Sequence, residues 1–115
     1  MKITEELSGT ILIMRIAGRL DTTTYGILEN RLLEVISKGQ IRIIMECSEL
    51  DYISSSGLRV FLLGLKKIRS EKGRFILANL QDAIREIMEI AGFTTIFEIM
   101  PTLADALKSA KTEGL

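Results

Sequence analysis

The chain has 115 residues, 47% of them hydrophobic and 26% charged, with fifteen basic side chains against fifteen acidic ones and no histidine. That is enough apolar material for one compact domain, residues 1–115, that buries a core without metal or disulfide staples. A net charge of zero offers no basic excess to follow a phosphate backbone, and the lack of imidazole excludes Ser-His and Cys-His nucleophile pairs.

In chain order, residues 3–6 and 11–17 read as two strands of a hairpin, separated by the turn-formers Ser8 and Gly9. After Gly18, Asp21-Thr22-Thr23-Thr24 supplies side-chain oxygens that can cap a helix. Leu28, Leu32, Val35 and Ile36 then recur at helical spacing as far as Gly39, as an amphipathic helix on a sheet requires. Ile41, Ile43, Ile44 and Met45 form a nearly continuous apolar run, the mark of a strand covered on both faces and hence of the sheet centre. Residues 48–56 read as a polar loop. A second helix follows, with Leu58, Phe61, Leu62 and Leu65 on one side and Lys66, Lys67 and Arg69 near its end, where cations suit the helix dipole.

Gly73 marks a stop, residues 74–78 a strand, and Ile84, Ile87, Met88 and Ala91 a third helix ended by Gly92. Residues 95–99 suit a short edge strand. Beyond Pro101, Thr102 and Asp105 have the spacing of a helix start, and Leu103, Ala106, Leu107 and Ala110 make its apolar stripe; residues 111–115 are expected to fray. Strands alternating with helices imply an α/β fold: a mixed sheet of four to five strands, with right-handed crossovers, packed by four helices whose apolar faces supply core.

Little chemistry is offered elsewhere. Cys47 has no second cysteine to pair with and stands in an apolar run, which fits a reducing, cytoplasmic setting. One cysteine without histidine makes a poor zinc site, and neither G-x-x-x-x-G-K-[ST] nor G-x-G-x-x-G occurs, so no metal and no cofactor is assigned. The N-terminal Met-Lys-Ile-Thr-Glu-Glu has no apolar signal core, and no stretch approaches the roughly 20 apolar residues of a membrane span.

The segment that looks functional is Asp51-Tyr52-Ile53-Ser54-Ser55-Ser56-Gly57-Leu58, because it joins the central strand to a helix. In open α/β sheets, ligands and partners meet the crevice beyond the carboxyl ends of the strands, where helix N-termini point. An ordinary reading is also available: one serine caps the helix and the others are solvated loop residues. A serine nucleophile would need a base, and Lys66 and Lys67 lie too far down the helix to serve.

Together with Gly18-Arg19-Leu20-Asp21 at the end of the second strand, this segment resembles the STAS domain of bacterial anti-sigma factor antagonists, over nearly the whole chain. The resemblance implies a non-enzymatic switch that binds an anti-sigma factor when unphosphorylated, frees a sigma factor, and is turned off when that anti-sigma factor, a serine kinase, phosphorylates it. The family's acceptor serine stands two places before the glycine of the S-G-L turn and matches Ser55; the serine before the glycine matches Ser56, and the acidic residue of G-x-L-D matches Asp21. Family members often have aspartate just before the acceptor, where this chain has Ser54. The implied partner surface is Asp21, Ser54, Ser55, Ser56, Gly57 and Leu58, and a phosphatase is implied to reset it. No direct contact with nucleic acid or membrane is expected. The alternative is a STAS scaffold subunit in a multi-protein stress-sensing or transport assembly.

The physical reading of the three serines assigns the cap to one near the glycine, which would leave Ser55 freer to react, and places phosphate at a helix N-terminus, where the fold tolerates an anion. Asp21 is read both as a partner-facing residue and as a helix cap. Tyr52, Ile53 and Leu58 are candidates for apolar contact around the serines, or for core.

Overall fold

A computed structural model describes residues 1–111; of the tail expected to fray, Lys111 is instead helical and residues 112–115 lie outside the described residues. The elements run β1 (Lys2–Ser8), β2 (Ile11–Leu20), α1 (Tyr25–Ser37), β3 (Arg42–Ile53), α2 (Ser55–Ser70), β4 (Arg74–Ala78), α3 (Asp82–Ile90), β5 (Glu98–Met100) and α4 (Leu103–Lys111). The sheet order is β1-β2-β3-β4-β5, with β1 antiparallel to β2 and every later pair parallel. The fold is thus α/β, with four helices on a mixed five-stranded sheet among the described residues, and the isoleucine-rich strand lies at the centre as its composition requires.

Successive parallel strands need crossover helices, and α1, α2 and α3 all lie on one face, as connections of a single hand do when strand order follows chain order. That face holds the main core, where Met14, Ile16, Ile43 and Met45 of the sheet meet Leu28 and Leu32 of α1, Phe61 and Ile68 of α2, and Ile84 and Met88 of α3. Phe97 closes it from the side, its ring 6.4 Å from that of Phe61 in an edge-to-face pair. Each such side chain, fully buried, contributes about 1.5–3 kcal/mol. On the opposite face, among the described residues, α4 alone packs, laying Ala106 and Ala110 on Ile11, Ile44 and Ile76. The Thr102 hydroxyl accepts from the Asp105 amide at 3.1 Å, so this helix starts as its spacing suggests.

Several boundaries differ from the sequence reading. The polar segment 48–56 is not a loop: β3 continues through it to Ile53, still paired with β2 as far as Leu20↔Ile53. Two irregularities explain the difference. Opposite Arg15 and Ala17, two apart, stand Glu46 and Glu49, three apart; opposite the adjacent Gly18 and Arg19 stand Leu50 and Tyr52, with Asp51 between them. Each bulge adds a residue to β3 and rephases its side chains. Burial therefore falls on Cys47, Leu50 and Ile53, a spacing of three that the two-residue period of a regular strand does not anticipate. Gly18 stands at the second bulge with φ +98°, a conformation that glycine supplies without strain. β5 is only Glu98–Met100, since Ile96 and Phe97 close turns onto Phe93. Ile87, counted in the α3 core stripe, is 37% exposed, and Ala91 is exposed beyond the helix end.

Candidate functional site

The ends of β2 and β3 stop side by side. The Ser54 amide donates to the Leu20 carbonyl at 2.9 Å, a last rung of the ladder, and the chain then turns directly into α2. Asp21 and the three serines are thereby brought to one end of the sheet. A hollow of about 690 Å³ between Gly9, Ile11, Gly39 and Arg42 lies at the other end, where β2 and β3 begin. The serines form a rim on which Ser55 is exposed and Ser54 and Ser56 are half-buried.

Each serine has a different environment. Ser54, extended at φ −93° and ψ 174°, is the N-cap: its hydroxyl accepts from the Gly57 amide at 3.2 Å, and its carbonyl takes the Leu58 amide at 2.9 Å. The cap is therefore the serine farthest from the glycine, not one near it, because β3 runs on to Ile53 and α2 begins at Ser55. Ser55 is the first helical residue and is exposed; Ser56, the second, is half-buried. Neither hydroxyl has a hydrogen-bond partner among the described residues, so Ser55 is both accessible and uncommitted.

Gly57 and Leu58 face inward. A methyl group on Gly57 would come within 2.7 Å of Leu20 Cγ and 2.8 Å of Ile53 Cγ1, so only glycine lets the first turn of α2 lie this close to the strand ends. Leu58 and Ile53 are core residues, 7% and 2% exposed. Tyr52, by contrast, is 38% exposed on the rim.

Asp21 does not cap α1. Its carboxylate accepts from the Thr23 amide at 2.9 Å and the Thr23 hydroxyl at 2.7 Å, while its carbonyl takes the Tyr25 amide; the N-cap is Thr24, whose side chain accepts no helix amide. The Thr24 hydroxyl instead donates to the Arg19 carbonyl at 2.8 Å and accepts from the Asp21 amide at 2.9 Å. Thr23, through hydroxyl and then amide, holds the Asp21 carboxyl below its ordinary value, with Arg19 adding to the effect, so Asp21 is a fixed anion near neutral pH.

Arg19 and Tyr52 belong to this site, and the sequence reading gave Arg19 no role. They are register partners, the Arg19 guanidinium lies 4.2 Å from the Tyr52 ring centroid, and its Nε is 3.5 Å from Asp21 Oδ2. The signal in the sequence is slight: Arg19 precedes Asp21 by two, but its pairing with Tyr52 depends on the second bulge.

Among the described residues, no hydrogen bond joins a serine hydroxyl of this rim to a side-chain base. Cys47 is fully buried, which pushes its thiol well above the ordinary range. Among the described residues no cluster of three or more potential metal ligands occurs, and no helix is long and apolar enough to cross a membrane.

Comparison with known proteins places these features in context. Residues 2–106 match the family model described as the STAS domain. BtrV of Bordetella bronchiseptica, provisionally named an anti-sigma factor antagonist, is 36% identical over 112 residues, 97% of either chain. A Thermotoga maritima protein, also provisionally assigned as an anti-sigma factor antagonist, superposes with a TM-score of 0.92 at 19% identity, covering 96% of this chain and 95% of that one. The anti-sigma factor antagonist SpoIIAA of Bacillus has been solved unphosphorylated and phosphorylated. Both forms superpose at TM-score 0.75 and 20% identity, the phosphorylated one over 96% of this chain and 100% of its own.

Proposed function

The chain belongs to the STAS domain family, and from that premise we propose that it is an anti-sigma factor antagonist acting in the cytoplasm. Unphosphorylated, it binds an anti-sigma factor and so releases a sigma factor. The anti-sigma factor is also a serine kinase, and phosphorylation of Ser55 ends the interaction; a phosphatase restores it. The STAS domain is taken to span residues 1–115, and the partner surface to be Asp21, Ser54, Ser55 and Ser56, supported from beneath by Gly57 and Leu58.

The observation that carries this reading is the difference among the serines. Ser54 is held as a cap and Ser56 is half-buried, whereas Ser55 is exposed with a free hydroxyl at the first position of a 16-residue helix. In the transfer, Ser55 Oγ forms a bond to the γ-phosphorus of ATP on the kinase, the bond from that phosphorus to the bridging oxygen breaks, and ADP leaves. The hydroxyl proton passes to a base supplied by the kinase.

The product carries about −1.5 to −2 charges near pH 7. Within the domain, the positive end of α2 offsets it by roughly 0.3–1 kcal/mol per unit charge, so the fold is retained. At the interface the same charge meets a surface suited to a neutral hydroxyl, and a misplaced charge there costs several kcal/mol. At 1.4 kcal/mol per tenfold, affinity falls by about a hundredfold or more.

Incubation with the anti-sigma factor and ATP, followed by mass spectrometry, tests the assignment. Ser55→Ala should take up no phosphate, while Ser54→Ala and Ser56→Ala keep at least part of it. Persistent labelling of the Ser55→Ala protein removes Ser55 as acceptor. Equal calorimetric affinity of the phosphorylated and unphosphorylated forms for the anti-sigma factor would replace the switch with a scaffold role.

A further inference from the structure

The stacked pair at the end of β2 and β3 is more than its own stability requires. An exposed ion pair and an exposed cation–π contact each contribute little to folding. Yet the Arg19 side chain has two neighbours: its guanidinium lies on Tyr52 and its Nε faces the Asp21 carboxylate, while the Thr24 hydroxyl donates to its backbone carbonyl. The side chain remains 62% exposed, and its Nη groups have no partner among the described residues. A planar donor fork thus rests between a ring and a carboxylate with its outer edge available, one residue from the Leu20 carbonyl that receives the Ser54 amide.

We propose that the Arg19–Tyr52 pair is the specificity-determining anchor of the partner surface, offering the guanidinium to an acidic side chain on the anti-sigma factor. The inference rests on the function proposed above and names the chemistry of the contact. Binding hot spots are enriched in arginine and tyrosine, because both bury much area and lose little freedom when already ordered. Guanidinium geometry matches a carboxylate bidentately, which a lysine ammonium cannot reproduce. Because Asp21 occupies only the Nε side, the fork can take a second carboxylate without releasing the first. Asp21 then acts as a positioning residue for Arg19 in addition to any contact of its own.

The test is calorimetric titration of the anti-sigma factor with the unphosphorylated full-length chain and its variants R19A, R19K, R19E, Y52A and Y52F, with melting curves for each. R19A should weaken binding about 30-fold, the level of a hot-spot truncation. R19E should weaken it a hundredfold or more, and changing an acidic residue of the partner to lysine should restore its binding. R19K and Y52A should fall between R19A and wild type, and Y52F should match wild type, since the ring and not the hydroxyl carries the stack. All variants should melt close to wild type.

R19E binding within threefold of wild type would overturn the proposal while leaving the anti-sigma factor reading intact. So would a loss of affinity that appears only in variants unfolded at the titration temperature. If the wild-type chain itself fails to bind, the function proposed above fails and this anchor with it.

Discussion

Gly57→Ala tests whether the serine rim is positioned by close packing of α2 on the strand ends. The added methyl would lie 2.7 Å from Leu20 Cγ, 2.8 Å from Ile53 Cγ1 and 3.0 Å from Leu20 Cδ2, and both neighbours are essentially fully buried, so neither can swing into solvent. Overpacking of this kind costs about 1–3 kcal/mol. Replacing glycine by alanine in a helix returns up to about 1 kcal/mol, which leaves a net loss of about 0–3 kcal/mol. Gly64→Ala, in the same helix, is the internal control. Its methyl would approach Leu32 Cδ1 at 3.3 Å and Phe75 Cε1 at 3.4 Å, contacts that a shift of a few tenths of an ångström relieves. Gly64→Ala should therefore be neutral or stabilising, and the two variants should differ by about 1–3 kcal/mol. At about 4 °C per kcal/mol for a domain of this size, the melting temperatures should separate by roughly 4–12 °C. Calorimetric melts measure the gap. Because the Gly57 amide also donates to the Ser54 cap, lifting the first turn should slow Ser55 phosphorylation in Gly57→Ala and not in Gly64→Ala. A Gly57→Ala protein that melts at or above Gly64→Ala would refute the packing argument.

Other consequences can be checked with the same melts. Ser54→Ala removes the α2 cap and should cost about 1 kcal/mol, whereas Ser56→Ala, which breaks no hydrogen bond within the described residues, should stay within about 0.5 kcal/mol of wild type. Folding lowers the Asp21 pKa from its ordinary 3.8, so its stabilising effect is fully present above that value and is lost as pH falls through the lower folded one. Asp21→Asn should accordingly melt below wild type at neutral pH, and the difference should shrink on acidification below pH 3.8; a pH-independent gap would contradict the assignment. Cys47, fully buried with its thiol pushed up, should resist alkylation in the native protein and react only under denaturant. Native-state labelling at the rate of a free thiol would show that this part of β3 opens.

How far the sequence determined this protein follows from the range of the interactions involved. Helical spacing of Leu28, Leu32 and Val35, or of Ala106 and Ala110, identifies helices because each buries a face against the sheet, and that periodicity is written locally. The run from Ile43 to Met45 marks the central strand for the same reason, since both its faces are covered. The S-S-S-G-L turn and G-x-L-D are legible as candidate segments, since a helix start after a central strand is a local event, and the fold brings both to one end of the sheet. What tertiary structure alone decided is phase and adjacency. Residues 48–53 set Leu50 and Ile53 among polar neighbours and Tyr52, and the burial of those two, three apart, comes from two bulges that exist only opposite β2, so no two-residue period marks the segment as strand. Because that strand runs on to Ile53, Ser54 becomes the cap and Ser55 the exposed first helical residue, an outcome that three identical side chains in a row cannot specify by themselves. The same register sets Arg19, distant in sequence, across from Tyr52 and completes the rim. A contact between separate strands depends on how the backbones align, and that alignment is fixed by the packing of the whole sheet.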